Sequence, residues 1–390
     1  MHGTWHAPQT RSTATALAVP RSGEQNGLHA NTGLSSCSAR CCLTPRSTGP
    51  ATAGGVSLAR SGFATVARQA YAASLRGPVS SNVRPHEMTI QPASLERKKY
   101  ICRTSSGHSL EVDVIGGDAA TLRPCVMWIH GGGLIFGSRT MSPRPFLAEA
   151  LVDRGFIVAS VDHRLAPEVK LEEIVEDVGE LWRWLHDAGP NLFGVDPRRI
   201  CAAGASAGAY LALIAGYKLL PKPRAVASLW GFGDITAPWE AEPSEHYLKA
   251  PMVPRRDALA SLPLTPIPTA SGEDRSLFYL YCRQQGLWLQ EVTGHSLPGD
   301  LEWLQQYCPL HHIEQDFPPT VLVHGLDDSD VPASESDCLV ATLRRKGVAH
   351  AYHSLPGVGH GFSGASIELV QSTEWAVAEF LHAHVPANEA

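Results

Sequence analysis

Eight short apolar runs punctuate this chain: Tyr100–Arg103, Leu110–Ile115, Cys125–Ile129, Phe156–Val161, Ile200–Ala203, Ala225–Trp230, Thr320–His324 and Ala349–Leu355. Their length and their β-branched or aromatic content predict strands. Between them lie stretches with helical spacing, at Pro145–Arg154, Leu171–Asp187, Ser206–Leu219, Glu335–Lys346 and Ile367–His384. In the second of these, Ile174, Val178, Leu181 and Leu185 recur three or four apart and form one apolar face. Strands that are apolar almost throughout must be covered on both sides, and helices between them supply the cover. The pattern therefore predicts an α/β protein with a mostly parallel sheet. The first two runs can pair as an antiparallel edge.

The rhythm fails between Asp234 and Pro318, a stretch rich in proline and in aromatics (Trp239, Tyr247, Phe278, Tyr279, Tyr281, Trp288, Trp303, Tyr307). We expect residues 88–233 and 319–390 to form one core and residues 234–318 to be an insertion in it. Some of its aromatics are expected to line an apolar site, others only to pack the insertion down. Residues 1–87 follow no periodicity and are dominated by Ser, Thr, Ala, Gly and Arg. The expectation there is a disordered extension, read as an organelle transit peptide or as a stretch preceding a true start at Met88.

Charge divides at the same place. Residues 1–86 hold eight arginines and one acid, Glu24, whereas the whole chain carries −6, which leaves about −13 on the remainder. An acidic core is a poor match for nucleic acid, so a small molecule is the expected partner. No apolar run reaches the roughly 18 residues needed for a membrane helix. The nine cysteines are odd in number and irregularly spaced, neither a disulfide framework nor a zinc pattern. A reducing, cytoplasmic setting is expected, or a mitochondrial or other organellar one if the arginine-rich stretch is a transit peptide.

Three motifs carry candidate chemistry. Gly204-Ala205-Ser206-Ala207-Gly208 sits between a predicted strand and a predicted helix, the setting of a nucleophile elbow. The glycines let strand and helix pass closely, and the serine hydroxyl lies at a helix N-terminus, where negative charge is favoured. His130-Gly131-Gly132-Gly133 ends another strand. Glycine there leaves main-chain N–H groups open to an oxyanion. A phosphate-binding turn is the alternative, although no G-x-G-x-x-G or Walker lysine accompanies it. Val321 to Pro332 runs a strand into an acidic turn in which Asp328, Asp327 and Asp330 compete as the carboxylate that orients a histidine. Gly359-His360-Gly361 supplies that histidine from a glycine-rich loop, with His353 as its rival. His311-His312 lacks the spacing of a zinc helix, and neither a metal nor a cofactor is expected.

The order Ser206, Asp328, His360 resembles that of α/β-hydrolases, and the chain is similar to the hormone-sensitive-lipase-like branch from about Tyr100 to Val385. Asp162-His163-Arg164-Leu165-Ala166-Pro167-Glu168 resembles that branch's D-Y-R-L-A-P-E, with histidine in place of tyrosine. The spacing H-G-x-x-D-x-x-V-P favours Asp328 as the acid and departs from the branch's D-P-L-x-D form. The resemblance implies an α/β-hydrolase fold with an inserted cap at 234–318. It also implies oxyanion donors at Gly132, Gly133 and Ala207, and a carboxylic esterase acting on short acyl groups through Ser206, His360 and Asp328. An amide, lactone or peptide hydrolase with the same residues is the alternative. A small-ligand receptor that keeps the pocket without the chemistry is the other.

Overall fold

The computed structural model describes residues 95–385 apart from 142–144, 261, 264 and 271, so the expectation for residues 1–87 lies outside the described residues. All eight apolar runs form strands: β1 (Arg97–Arg103), β2 (Ser109–Ile115), β3 (Arg123–Ile129), β4 (Ile157–Val161), β5 (Val195–Ala205), β6 (Val226–Leu229), β7 (Thr320–Gly325) and β8 (His350–Leu355). They make a single sheet in the order β1-β2-β4-β3-β5-β6-β7-β8. β1 and β2 pair antiparallel, β2 joins β4 antiparallel, and every other neighbour is parallel.

The alternation within each strand sorts its side chains onto two faces. Along β3, Cys125, Met127 and Ile129 enter one apolar cluster, while Val126 and Trp128 enter the other. Helices α1 (Pro145–Asp153), α2 (Leu171–Asp187), α3 (Gly189–Phe193) and α4 (Ala207–Lys218) follow β3, β4 and β5. Leu171, Ile174, Val178, Leu181, Trp182 and Leu185 of α2 cover the first face beside Tyr210, Leu211 and Ile214 of α4. Phe146, Leu147 and Leu151 of α1 cover the second face. They are joined there by Val370, Val377 and Leu381 of the last helix, which spans Ile367–Ala383.

Local signals fix the ends of these helices. Glu173 reaches back to accept the Lys170 main-chain N–H at 2.9 Å at the start of α2. Ser366 accepts the Leu369 N–H at 3.3 Å and starts the last helix. α4 lies in the interior, with Ala207 to Gly216 all buried, which is why its sequence is apolar all round.

Residues 234–318 contain α5 (Pro238–Ala241), α6 (Arg255–Leu259), α7 (Gly272–Gln285), α8 (Trp288–Thr293) and α9 (Leu301–Gln305). α10 (Ser334–Lys346) and α11 (Ile367–Ala383) complete the chain order. Phe278, Trp288 and Tyr307 are buried in the same cluster as α2 and α4. Among the described residues no helix is long and apolar enough to cross a membrane.

Trp182 is buried at 1% exposure, and its indole N–H donates to the Pro221 carbonyl at 2.9 Å. Trp182→Ala is expected to lower stability by about 3–5 kcal/mol through the cavity and the lost partner. Denaturant unfolding of the two proteins measures this.

Candidate active site

The C-terminal ends of β3, β5, β6, β7 and β8 bring the singled-out residues together. Ser206 stands between β5 and α4 with φ 54° and ψ −124°, a strained conformation for a side-chain-bearing residue. Its N–H donates to the Leu229 carbonyl on β6 at 2.8 Å, which holds the turn to the sheet. Gly208 makes that turn possible. A Cβ on it would collide with the carbonyl oxygens of Ile129 and His130, so the helix start packs directly on the end of β3.

His360 follows β8 at the head of a short 3-10 turn, His360–Phe362. The loop is closed by Gly359 N–H to Ser363 O at 2.8 Å and Ser363 N–H to His360 O at 3.1 Å. Its Nε2 lies 3.2 Å from Ser206 Oγ, and its Nδ1 lies 2.7 Å from Asp328 Oδ2. The Asp328 side chain is wholly enclosed. Its Oδ1 accepts the N–H groups of Asp330 and Val331, each at 2.9 Å. His324 Nε2 is 3.4 Å from Oδ2 and 3.1 Å from the Val331 carbonyl, and its Nδ1 meets Ser336 Oγ at 2.7 Å. His324 thus anchors the acidic turn.

Burial raises the Asp328 pKa, but the His360 charge and the hydrogen bonds from His324, His360 and Val331 outweigh it and hold the carboxyl well below its ordinary range. For His360, burial lowers the pKa. The Asp328 charge and hydrogen bond and the Asp330 charge more than offset this, so the imidazole titrates above its usual 6.5.

The other two aspartates go elsewhere. Asp327 is exposed, with its N–H on the Val358 carbonyl. Asp330 is largely buried on the Nε2 side of the ring, with Oδ2 3.8 Å from His360 Nε2. His353 is a residue of β8, and burial lowers its pKa. His312 stacks on Tyr217, and its Nε2 meets the Gln305 carbonyl at 3.0 Å.

The glycine loop after β3 forms the facing wall. Gly132 has φ 113° and Gly133 φ 59°. The Gly132 carbonyl accepts the Ile135 and Phe136 N–H groups at 3.0 Å each, and the Gly133 carbonyl accepts the Trp288 indole N–H at 2.8 Å. A Cβ on Gly133 would run into the Tyr279 ring. Ala207 is the first residue of α4, so its N–H has no partner within the helix. Beneath the loop, His130 and His163 are buried and stacked, with ring centroids 4.3 Å apart. Burial lowers the pKa of both, and His163 fills as packing the place where the motif it resembles carries tyrosine.

A cavity of about 320 Å³ opens beside Ser206 and His360. Trp128, Phe136, Leu229 and Trp230 form apolar walls, and Tyr279 and Asp330 add a polar side. Tyr279 was flagged in the sequence only as one aromatic among many. Helix α7 gives it a purpose that spacing reveals, because Arg275, Tyr279 and Arg283 fall four apart on one face. Arg275 donates to the carbonyls of Ile135 and Ala166 and to both oxygens of Glu168 at 2.8–3.1 Å. Tyr279 donates to Asp330, and Arg283 donates to Glu240 at 3.0 Å and to the Asp330 carbonyl at 3.1 Å.

The chain belongs to the alpha/beta hydrolase fold family, whose family model matches residues 126–364. It is 27% identical over 271 residues to a non-reducing polyketide synthase of Preussia isomera, which covers 61% of this chain and 12% of the synthase. The chain thus spans only a small part of that relative, as it does of a Penicillium brasilianum synthase (15%). It is 25% identical to an esterase of Mycobacterium tuberculosis over 80% of this chain and 73% of the relative. Among solved structures, an alpha/beta hydrolase superfamily protein from Enterococcus faecalis matches with TM-score 0.58 at 21% identity, covering 74% of this chain and all of that one. A thermophilic carboxylesterase from a metagenomic library matches with TM-score 0.56 at 20% identity, covering 84% and 97%.

Arg283 and Glu240 are both enclosed, at 3% and 2% side-chain exposure. Arg283→Met leaves the Glu240 carboxyl buried without its cation and is expected to destabilise by about 3–5 kcal/mol. Adding Glu240→Leu is expected to restore most of that loss. Denaturant unfolding of the single and double variants measures both.

Proposed function

We propose that this chain is a serine hydrolase that cleaves carboxylic esters through an acyl-enzyme, with residues 234–318 as the cap over its cavity. The observation that carries the reading is the row Ser206 Oγ, His360 Nε2 and Nδ1, Asp328 Oδ2, with separations of 3.2 and 2.7 Å. His360 Nε2 takes the serine proton as Oγ attacks the ester carbonyl. Asp328 keeps the other ring proton on Nδ1 and stabilises the imidazolium that forms. The negative oxygen of the tetrahedral intermediate is assigned to the main-chain N–H groups of Gly132, Gly133 and Ala207. His360 then gives its proton to the departing alcohol and later activates the water that releases the acid. No step calls on a cofactor.

The cavity volume, at the small end for ligand sites, supports short acyl groups. A second reading, aromatic acyl groups, is favoured by the indole and phenyl walls at Trp128, Trp230 and Phe136. Comparing kcat/KM for p-nitrophenyl butyrate and p-nitrophenyl benzoate separates the two, and arylamides test the amide alternative.

Ser206→Ala is expected to lower kcat by at least roughly 10³-fold and to abolish labelling by a fluorophosphonate. Near-wild-type turnover in that variant would sink the assignment. Only the neutral imidazole accepts a proton, and the folded pKa of His360 is raised. Activity is therefore lost as pH falls through a midpoint above 6.5 rather than at it. A kcat/KM profile on p-nitrophenyl butyrate measures that midpoint.

A further inference from the structure

We propose that Asp330 is a positioning residue for His360, offering the Nε2 side of the ring a second carboxylate that the Tyr279 hydroxyl restrains from capturing the Nε2 proton. The inference rests on the reading of His360 as the general base. It adds a control on that base that the Ser206, His360 and Asp328 row does not contain.

The geometry sets two acceptors against one nitrogen. Nε2 is 3.2 Å from Ser206 Oγ and 3.8 Å from Asp330 Oδ2. The first distance is a hydrogen bond, and the second is just beyond one. When the ring is protonated, its Nε2–H has a carboxylate within reach that competes with the serine and with a departing alcohol. An ionised carboxylate is the stronger acceptor for that proton. Unrestrained, Asp330 would fix the imidazolium between two carboxylates and take the base out of service.

Tyr279 supplies the restraint. Its hydroxyl lies 3.0 and 3.1 Å from the two Asp330 oxygens and donates to the carboxylate. The Tyr279 ring is itself braced. Phe136 meets it edge-on at 5.6 Å and Tyr247 at 5.8 Å, and the bare α-carbon of Gly133 leaves room for its edge. From the other side, Arg283 donates to the Asp330 carbonyl at 3.1 Å and stands 3.7 Å from Oδ1. The backbone of Asp330 is held as well, since its N–H donates to Asp328 Oδ1 at 2.9 Å. One turn of chain thus presents Asp328 to Nδ1 and Asp330 to the Nε2 side.

The charged and titratable groups around the ring come from several elements. The acidic turn brings Asp328 and Asp330, and β7 brings His324, which shares Asp328 Oδ2 at 3.4 Å. Helix α7 brings Arg283 and Tyr279, and α5 brings Glu240, already engaged with Arg283 at 3.0 Å. His246 lies close enough to Asp330 and Arg283 to feel both charges. The carboxylates outweigh the single guanidinium, consistent with the raised imidazole pKa.

The test uses the full chain and reads the acid-limb midpoint of kcat/KM for p-nitrophenyl butyrate. Asp330→Asn removes the second charge and is expected to lower the midpoint by about 1 pH unit. Tyr279→Phe frees the carboxylate to approach Nε2 and is expected to raise the midpoint. The double variant is expected to follow Asp330→Asn. Opposite signs for the two single variants are the signature, because loosened packing alone has no reason to move the midpoint in both directions.

An unchanged midpoint in Asp330→Asn, or shifts of the same sign in both single variants, would overturn the proposal. The His360 ring titration is followed by NMR in parallel, assigned by its absence in His360→Gln. It reports the same order of midpoints without turnover, so a variant too slow to assay still decides the question. Fluorophosphonate labelling of wild type, lost in Ser206→Ala, tests the hydrolase reading separately. A protein that is not labelled but shows opposed ring shifts would fail that reading alone.

Discussion

The contact on which the site depends is the approach of α4 to the end of β3. Gly208 sits against the carbonyl oxygens of Ile129 and His130 with no space for a methyl group. That closeness forces the chain to turn within one residue, and Ser206 takes the strain at φ 54°. It also fixes the glycine loop beside the serine, because the loop begins where β3 ends. Ser206 and the facing wall are therefore set by one packing event. The sheet makes the event affordable, since β3 and β5 are central strands whose other neighbours hold them in register.

Asp328 and His360 arrive by a second, looser route. Both hang on loops beyond β7 and β8, so their positions rest on hydrogen bonds rather than on buried strand pairing. His324 and two main-chain N–H groups hold Asp328, and a four-residue closure holds His360. Neither loop is long.

The strands and long helices were legible because a sheet covered on both faces leaves near-continuous apolar runs, as Cys125–Ile129 and Val321–His324 show. A mostly parallel α/β sheet follows from that alternation, whereas the α/β-hydrolase fold is implied by the resemblance that the glycine motifs and the order Ser206, Asp328, His360 carry. Helix α3 was not legible, since Gly189 and Pro190 open it and it has only five residues. The helices of 234–318 were also hidden. Aromatics are buried there, and α7 also buries Arg275 and Arg283 against Glu168 and Glu240, charged residues that read as surface until their partners are known. The serine and histidine stood out because glycine brackets each of them. Three aspartates in four positions could not be separated by chemistry, only by spacing. The structure gives Asp328 to Nδ1, leaves Asp327 at the surface and sets Asp330 on the far side of the ring.

Arg275 ties α7 to the Ile135 and Ala166 carbonyls and to Glu168, and so to the loop that follows the glycines. Residues 234–318 are for that reason no interchangeable module. A replacement segment without arginines at 275 and 283 would strand Glu168 and Glu240 without their cations and strip the Ile135 and Ala166 carbonyls of their donor, whatever the new pocket looked like.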